Sequence, residues 1–185
     1  MKDMQHRTHL YRFRRPRGYV ARRGAHSLLK SIGVLVALVL LINLLSVRFV
    51  VQGESMQPTL DNGNLLIVSR LHYALREPQA GDIAVFRYPD MADEQKYIKR
   101  IIAGPGDVVE LRAGQVYVNG IYKEAASLFV DAATAGRTRR IWQVGQDEYF
   151  VLGDNRSASS DSRSFGPVPR EFFIGPVILR YWPLT

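Results

Sequence analysis

The chain has 185 residues, room for one domain of ordinary size plus a short appended segment. Its formal net charge is +8, and residues 1–30 hold that whole excess, nine Lys/Arg against Asp3 alone, so the rest is neutral and a broad nucleic-acid-binding face on the main domain is not supported. There is no cysteine, which removes thiol nucleophiles, thiolate metal sites and disulfides from consideration.

Ile32 to Val47 carries no charge and is bounded by Lys30 and Arg48. As a helix this stretch rises roughly 24 Å. Leu28 and Leu29 before it, and Phe49, Val50 and Val51 after it, extend it to a span of about 30 Å, with Lys30 and Arg48 snorkelling outward. The segment is apolar nearly all round, unlike a core helix with one polar face. No Ala-x-Ala-like cleavage site follows it, since Leu44-Leu45-Ser46-Val47-Arg48-Phe49 stands there. The expected division is a basic cytoplasmic tail over 1–30, a transmembrane helix over 31–49 and an extracytoplasmic domain over 50–185. The nine basic residues before the span set that orientation through the positive-inside rule, in a single-pass protein of the cytoplasmic membrane. Membrane lipid is then an expected partner, and nucleic acid is not.

After Val51 the chain reads as short strands with turn punctuation. Leu65–Val68, Ile83–Tyr88 (ending at Pro89), Tyr97–Ile102, Val108–Leu111, Gln115–Val118, Ile121–Tyr122, Glu148–Leu152 and Val177–Trp182 are the candidates. Arg112-Ala113-Gly114 reads as a hairpin connection and Asn119-Gly120 as a tight turn. Residues 124–140 are small, polar and basic, and read as an irregular excursion. The predicted class is mainly β, with no long helix besides the anchor.

Two residues in this pattern carry chemistry. Ser55 lies in Gly53-Glu54-Ser55-Met56-Gln57-Pro58-Thr59-Leu60, shortly after the apolar span. A serine hydroxyl needs a base to take its proton. His6, His9 and His26 fall in the tail, on the far side of the span, and His72 has no recognisable motif around it. Lys99, in Tyr97-Ile98-Lys99-Arg100-Ile101-Ile102, is the better candidate. Strand alternation puts Tyr97, Lys99 and Ile101 on one face and Arg100 on the other. A lysine ordinarily titrates near 10.4, so a base working at pH 7–8 needs a drop of roughly 2–3 units, which burial among apolar groups supplies. A third stretch, Gly153 to Arg163, is dense in short polar side chains that fix turns. Asp154 or Asp161 could pair with Arg100 or Arg163 and brace that loop.

Taken together these stretches resemble the bacterial type I signal peptidases, membrane-bound serine proteases that remove signal peptides from exported proteins. Ser55-Met56-Gln57-Pro58-Thr59-Leu60 is similar to the nucleophile box, and Gly81-Asp82-Ile83-Ala84-Val85-Phe86 to the strand box that follows. Tyr97 to Asp107 is similar to the lysine box and Gly153 to Arg163 to the closing box. The resemblance runs from about Val50 to Pro183, and four boxes in order are far more specific than any one. It implies an antiparallel β-barrel or sheet domain of the signal-peptidase kind behind one N-terminal transmembrane helix. It implies Ser55 as nucleophile, Lys99 as general base and Ser159 as the hydroxyl that orients the lysine. Arg100 with Asp154, and Arg163 with Asp161, are implied as structural ion pairs. The Ser55 N–H is implied as one oxyanion donor. Some members add a hydroxyl side chain at the position of Gly53, which leaves the second donor open in this chain. The implied partners are signal peptides of exported preproteins, cut after small residues at Ala-x-Ala-like sites, with Met56, Ile83 and Val85 expected to line the pockets. No metal and no cofactor are expected.

Overall fold

The computed structural model describes residues 18–87, 95–123 and 139–183, with side chains from residue 27 onward. Residues 1–17 of the basic tail, the expected strand end at Tyr88-Pro89, and residues 124–138 of the expected excursion lie outside the described residues. The chain divides into two units, Met1–Ile42 and Asn43–Thr185.

The described residues of the first unit form the greater part of one helix, α1 (Gly18–Leu45). Its stretch Ser27–Leu45 is long and apolar enough to cross a membrane, and its side chains from Leu28 to Leu44 are exposed. Nineteen residues rise about 28 Å, close to the hydrocarbon thickness. Both expected boundaries move. The helix starts at Gly18, inside the basic segment, and stops at Leu45 instead of residue 49. Ser46–Val50 form a strand, β1, paired in continuous antiparallel register with β2 (Leu65–Ser69), from Ser46 against Ser69 to Val50 against Leu65. Val47, Phe49 and Val50 are β-branched or aromatic and suit a half-buried pleated surface, and β2 offers them a ladder of hydrogen bonds.

The second unit is antiparallel β. After β2 and a short helix α2 (Arg70–Leu75) come β3 (Ile83–Arg87), β4 (Lys96–Ala103), β5 (Val108–Arg112), β6 (Gln115–Val118) and β7 (Ile121–Tyr122). There follow β8 (Arg140–Gln143), β9 (Glu148–Leu152), a short helix α3 (Ser162–Phe165), β10 (Val168–Pro169) and β11 (Phe173–Trp182). Seven strands make one sheet in the order β1-β2-β11-β3-β4-β9-β10, and four make a second in the order β7-β6-β5-β8. In the second sheet both expected turns are present. Arg112 stands opposite Gln115 and Val118 opposite Ile121, leaving two-residue connections. Ala113-Gly114 and Asn119-Gly120 have positive φ at both positions, the conformation that matches hairpin twist and that glycine adopts without a Cβ penalty.

The large sheet curls. β1 and β4 have three strands between them, which in a flat sheet would hold them roughly 19 Å apart. Yet Lys96 Nζ on β4 lies 5.4 Å from the ring centroid of Phe49 on β1. The concave side encloses Val51, Met56, Leu60 and Leu66, with Phe49, Ile83, Ile98 and Val177 packed against them. A second cluster holds Phe86, Ile101, Tyr149, Val151 and Phe173 on the other side of the same strands, and a third seals the small sheet through Val109, Leu111, Val116, Val118, Phe150 and Leu152. Curling brings an edge strand back toward the middle of its own sheet and leaves a gap between them.

Candidate active site

A cleft of about 500 Å³ opens between β1 with its continuation and the start of β4. Phe49, Val50, Gln52, Glu54 and Ser55 line one wall, Lys96 to Lys99 the other, and Ala158 and Ser160 contribute from the loop after β9. β4 pairs with β3 over Lys96–Arg100 but with β9 only from Arg100 onward, so Lys96–Lys99 present an unpaired edge to the cleft.

Lys99 Nζ and Ser55 Oγ are 2.7 Å apart, hydrogen-bonding distance between residues 44 positions apart in the chain. Lys99 stands opposite Ala84, is only 4% exposed, and its Nζ lies 5.9 Å from the Tyr97 ring centroid. Burial disfavours the ammonium and, with the Arg163 cation opposed by the Asp161 carboxylate, brings Lys99 down to about 8. That drop means about 3 kcal/mol against the charged form and leaves roughly a tenth of the amine neutral at pH 7.

Ser55 is held by the backbone around it. Its carbonyl accepts from the Asn155 N–H at 3.0 Å, tying the nucleophile turn to the loop after β9. Its own N–H has no acceptor among the described residues. Gly53 donates its N–H to Asn62 Oδ1 at 3.0 Å and has φ +88, a conformation that other residues rarely adopt. Gly53 therefore offers the cleft neither a side chain nor a free amide.

The loop from Gly153 to Arg163 is fixed by two bidentate ion pairs. Arg100 Nε and Nη2 donate to the two oxygens of Asp154 at 2.8 and 2.7 Å, and Arg100 also reaches the Gly81 carbonyl. Arg163 Nε and Nη2 donate to Asp161 at 2.8 and 3.0 Å and bind the carbonyls of Arg156 and Ser159. Asp161 is fully buried, accepts the Gly153 N–H at 3.1 Å, and caps α3 through the Arg163 N–H. Close packing completes the loop. A Cβ on Gly153 would lie 2.2 Å from Ser159 Oγ and 2.6 Å from the Ser55 carbonyl oxygen, so only glycine lets the three chains meet.

Three expectations need correction. Ser159 Oγ is buried beside Gly153 and makes no hydrogen bond, so the expected bond from it to Lys99 is not formed. Ile83 and Val85 lie outside the cleft lining. Ile83 packs into the concave core and Val85 is fully buried opposite Ile98, because the alternation that exposes a strand residue to a cleft depends on the sheet's curl. Met56 does reach the lining, but it is almost wholly buried as part of the core beneath. The walls are instead supplied by residues that the sequence reading assigned to the membrane or passed over, notably Phe49, Gln52, Glu54 and Lys96. Their signal was the spacing of Phe49 and Gln52 from Ser55, too local to read without the β1–β2 pairing.

Comparison with known proteins gives the family. Residues 25–182 match the family model described as signal peptidase, peptidase S26. The chain is 40% identical over 138 residues to a probable signal peptidase I-2 of Synechocystis, covering 72% of this chain and 62% of that protein. It is 38% identical over 151 residues to signal peptidase I of Bacillus caldolyticus, covering 74% and 79%. A crystal structure of a signal peptidase I from Enterococcus faecalis is 32% identical and covers 55% of this chain and 97% of its own, with a TM-score of 0.44. From a family match over nearly its whole length and relatives at this identity, the chain belongs to the signal peptidase family, peptidase S26.

Proposed function

We propose that this chain is a membrane-anchored endopeptidase that removes N-terminal signal peptides from exported preproteins, with Ser55 as nucleophile and Lys99 as general base. The observation that carries the reading is the 2.7 Å separation of a buried amine and a hydroxyl at a cleft. With Lys99 neutral, the Ser55 hydroxyl donates to the amine. As Oγ attacks the scissile carbonyl carbon, its proton passes to Nζ and the carbonyl π electrons move onto oxygen. The Ser55 N–H, without an acceptor of its own, is suited to that oxyanion. The ammonium then returns its proton to the leaving amine as the C–N bond breaks. Water, deprotonated by Lys99, hydrolyses the ester and restores both groups.

An extended substrate adds to the unpaired edge of β4, with backbone hydrogen bonds giving affinity and alternate side chains meeting the walls. Bulky Tyr97, Ile98 and Met56 at that wall support a preference for small residues, as in Ala-x-Ala-like sites. The apolar helix supports a place in the membrane, and the basic N-terminal segment favours a cytoplasmic N-terminus with the catalytic domain outside. The test is processing of an exported reporter by the full chain. Ser55→Ala, Lys99→Ala and Lys99→Arg should each reduce signal-peptide removal by at least on the order of 10³-fold, arginine included because it does not give up its proton. Wild-type rates in Ser55→Ala and Lys99→Ala would end this reading.

A further inference from the structure

Two cations stand where the unpaired edge of β4 begins. Lys96 and Arg87 face one another in the β3–β4 register, a like-charge cross-strand pair that sheets ordinarily avoid. Among the described residues no carboxylate forms an ion pair with either. Lys96 is exposed, lines the cleft, and holds its Nζ over the Phe49 ring on the opposite wall. It lies three residues before Lys99, roughly 10 Å along the strand. The cleft's one carboxylate among the described residues, Glu54, lies at the other end, beside the nucleophile.

We infer that Lys96 is a specificity-determining residue that reads charge in the substrate segment upstream of the cut. This rests on the Ser55–Lys99 reading and deepens it by naming which preproteins the cleft favours. A peptide laid along the β4 edge to reach Ser55 runs past Lys96. With the peptide running parallel to β4, its upstream half passes the Phe49–Lys96 contact before the cut meets Ser55. At about 3.3 Å per residue, and with the reach of a lysine stem, the ammonium meets side chains about four and five positions before the cut. There it attracts a carboxylate and repels a second cation, and because the ammonium is exposed, salt screens both effects. Substrates with acidic or neutral residues at these positions are preferred over those with basic ones.

The test uses the full chain in a zwitterionic detergent and peptides sharing one small-x-small cut sequence. One pair carries Asp or Lys at the fourth and fifth positions before the cut, and a second pair carries them at the fourth and fifth positions after it. In the upstream pair kcat/KM should favour Asp by about threefold to tenfold at low salt. The preference should shrink at about 0.5 M salt, fall to near one in Lys96→Ala and invert in Lys96→Glu. Because each ratio is taken within one variant, the folded fraction cancels. A ratio unchanged in both variants, or a charge preference confined to the downstream pair, overturns the inference and leaves the Ser55–Lys99 reading standing. If the wild-type chain cuts none of the peptides, both fall.

Discussion

Lys99 is an unusual lysine because the groups around it give the ammonium little support. It is buried opposite Ala84 and beside Tyr97, and the one described carboxylate that favours its charge, Asp161, is already held by Arg163 from two directions. On the proposed reading, exclusion of water makes the amine a base, and the 2.7 Å contact aims it at Ser55. That contact depends on a residue with no side chain. Gly153 lies where Ser159 Oγ and the Ser55 carbonyl converge, and a methyl group there would have to displace both. Gly153→Ala should fold, since the strain is local, and yet cut a signal-peptide substrate on the order of 100-fold more slowly, because a shift of about 1 Å at the nucleophile is enough. Steady-state kinetics with a far-ultraviolet check of folding decide it, and a variant with wild-type kcat/KM would show that the packing is not what positions Ser55.

At the scale of elements, the decisive one is β1. In the sequence, Ser46-Val47-Arg48-Phe49-Val50 is a short apolar run that suits the end of a membrane helix and a half-buried strand equally well, and periodicity over five residues does not separate them. Its partner, β2, is 15 residues away at the nearest pairing, Val50 with Leu65, so the choice is made by long-range pairing. The strands that were legible, β2 to β7, β9 and β11, are those with apolar cores or glycine-marked turns. β8 was hidden because Arg140-Ile141-Trp142-Gln143 looks polar, and β10 because two residues carry no pattern. The pairing of Ser55 with Lys99 was legible because their residue types leave few chemical alternatives, whereas the cleft walls were not, since the curl decides which alternate residues face the cleft. A chain beginning at Asn43 should therefore unfold cooperatively, while one beginning at Val51 loses β1 and bares the edge of β2. Its thermal midpoint should be lower by about 5–15 °C in the same detergent. Equal midpoints would mean that β1 belongs to the anchor after all.

For the whole molecule, the neutral amine is a matter of stability as well as catalysis. Lys99 titrates lower in the fold than in the unfolded chain, so between about 8 and 10.5 the unfolded chain binds more protons and stability rises with pH. Below about 8 the amine is protonated in both states and the full penalty, about 3 kcal/mol, weighs on the fold. Lys99→Met removes it. Denaturant unfolding should find this inactive variant up to about 3 kcal/mol more stable than wild type at pH 7, with the gap closing toward pH 10.5. A gap that does not change with pH would point to packing in place of charge.

The titration of Lys99 itself is the most direct test of the account. Heteronuclear NMR of the lysine side chains in the full-length protein, with Lys99 assigned by its loss in Lys99→Met, should find one amine that changes protonation near pH 8, together with an acid limb of kcat/KM at the same pH. A Lys99 that titrates near 10.4, or a rate that is indifferent to pH across 7–9, would contradict it.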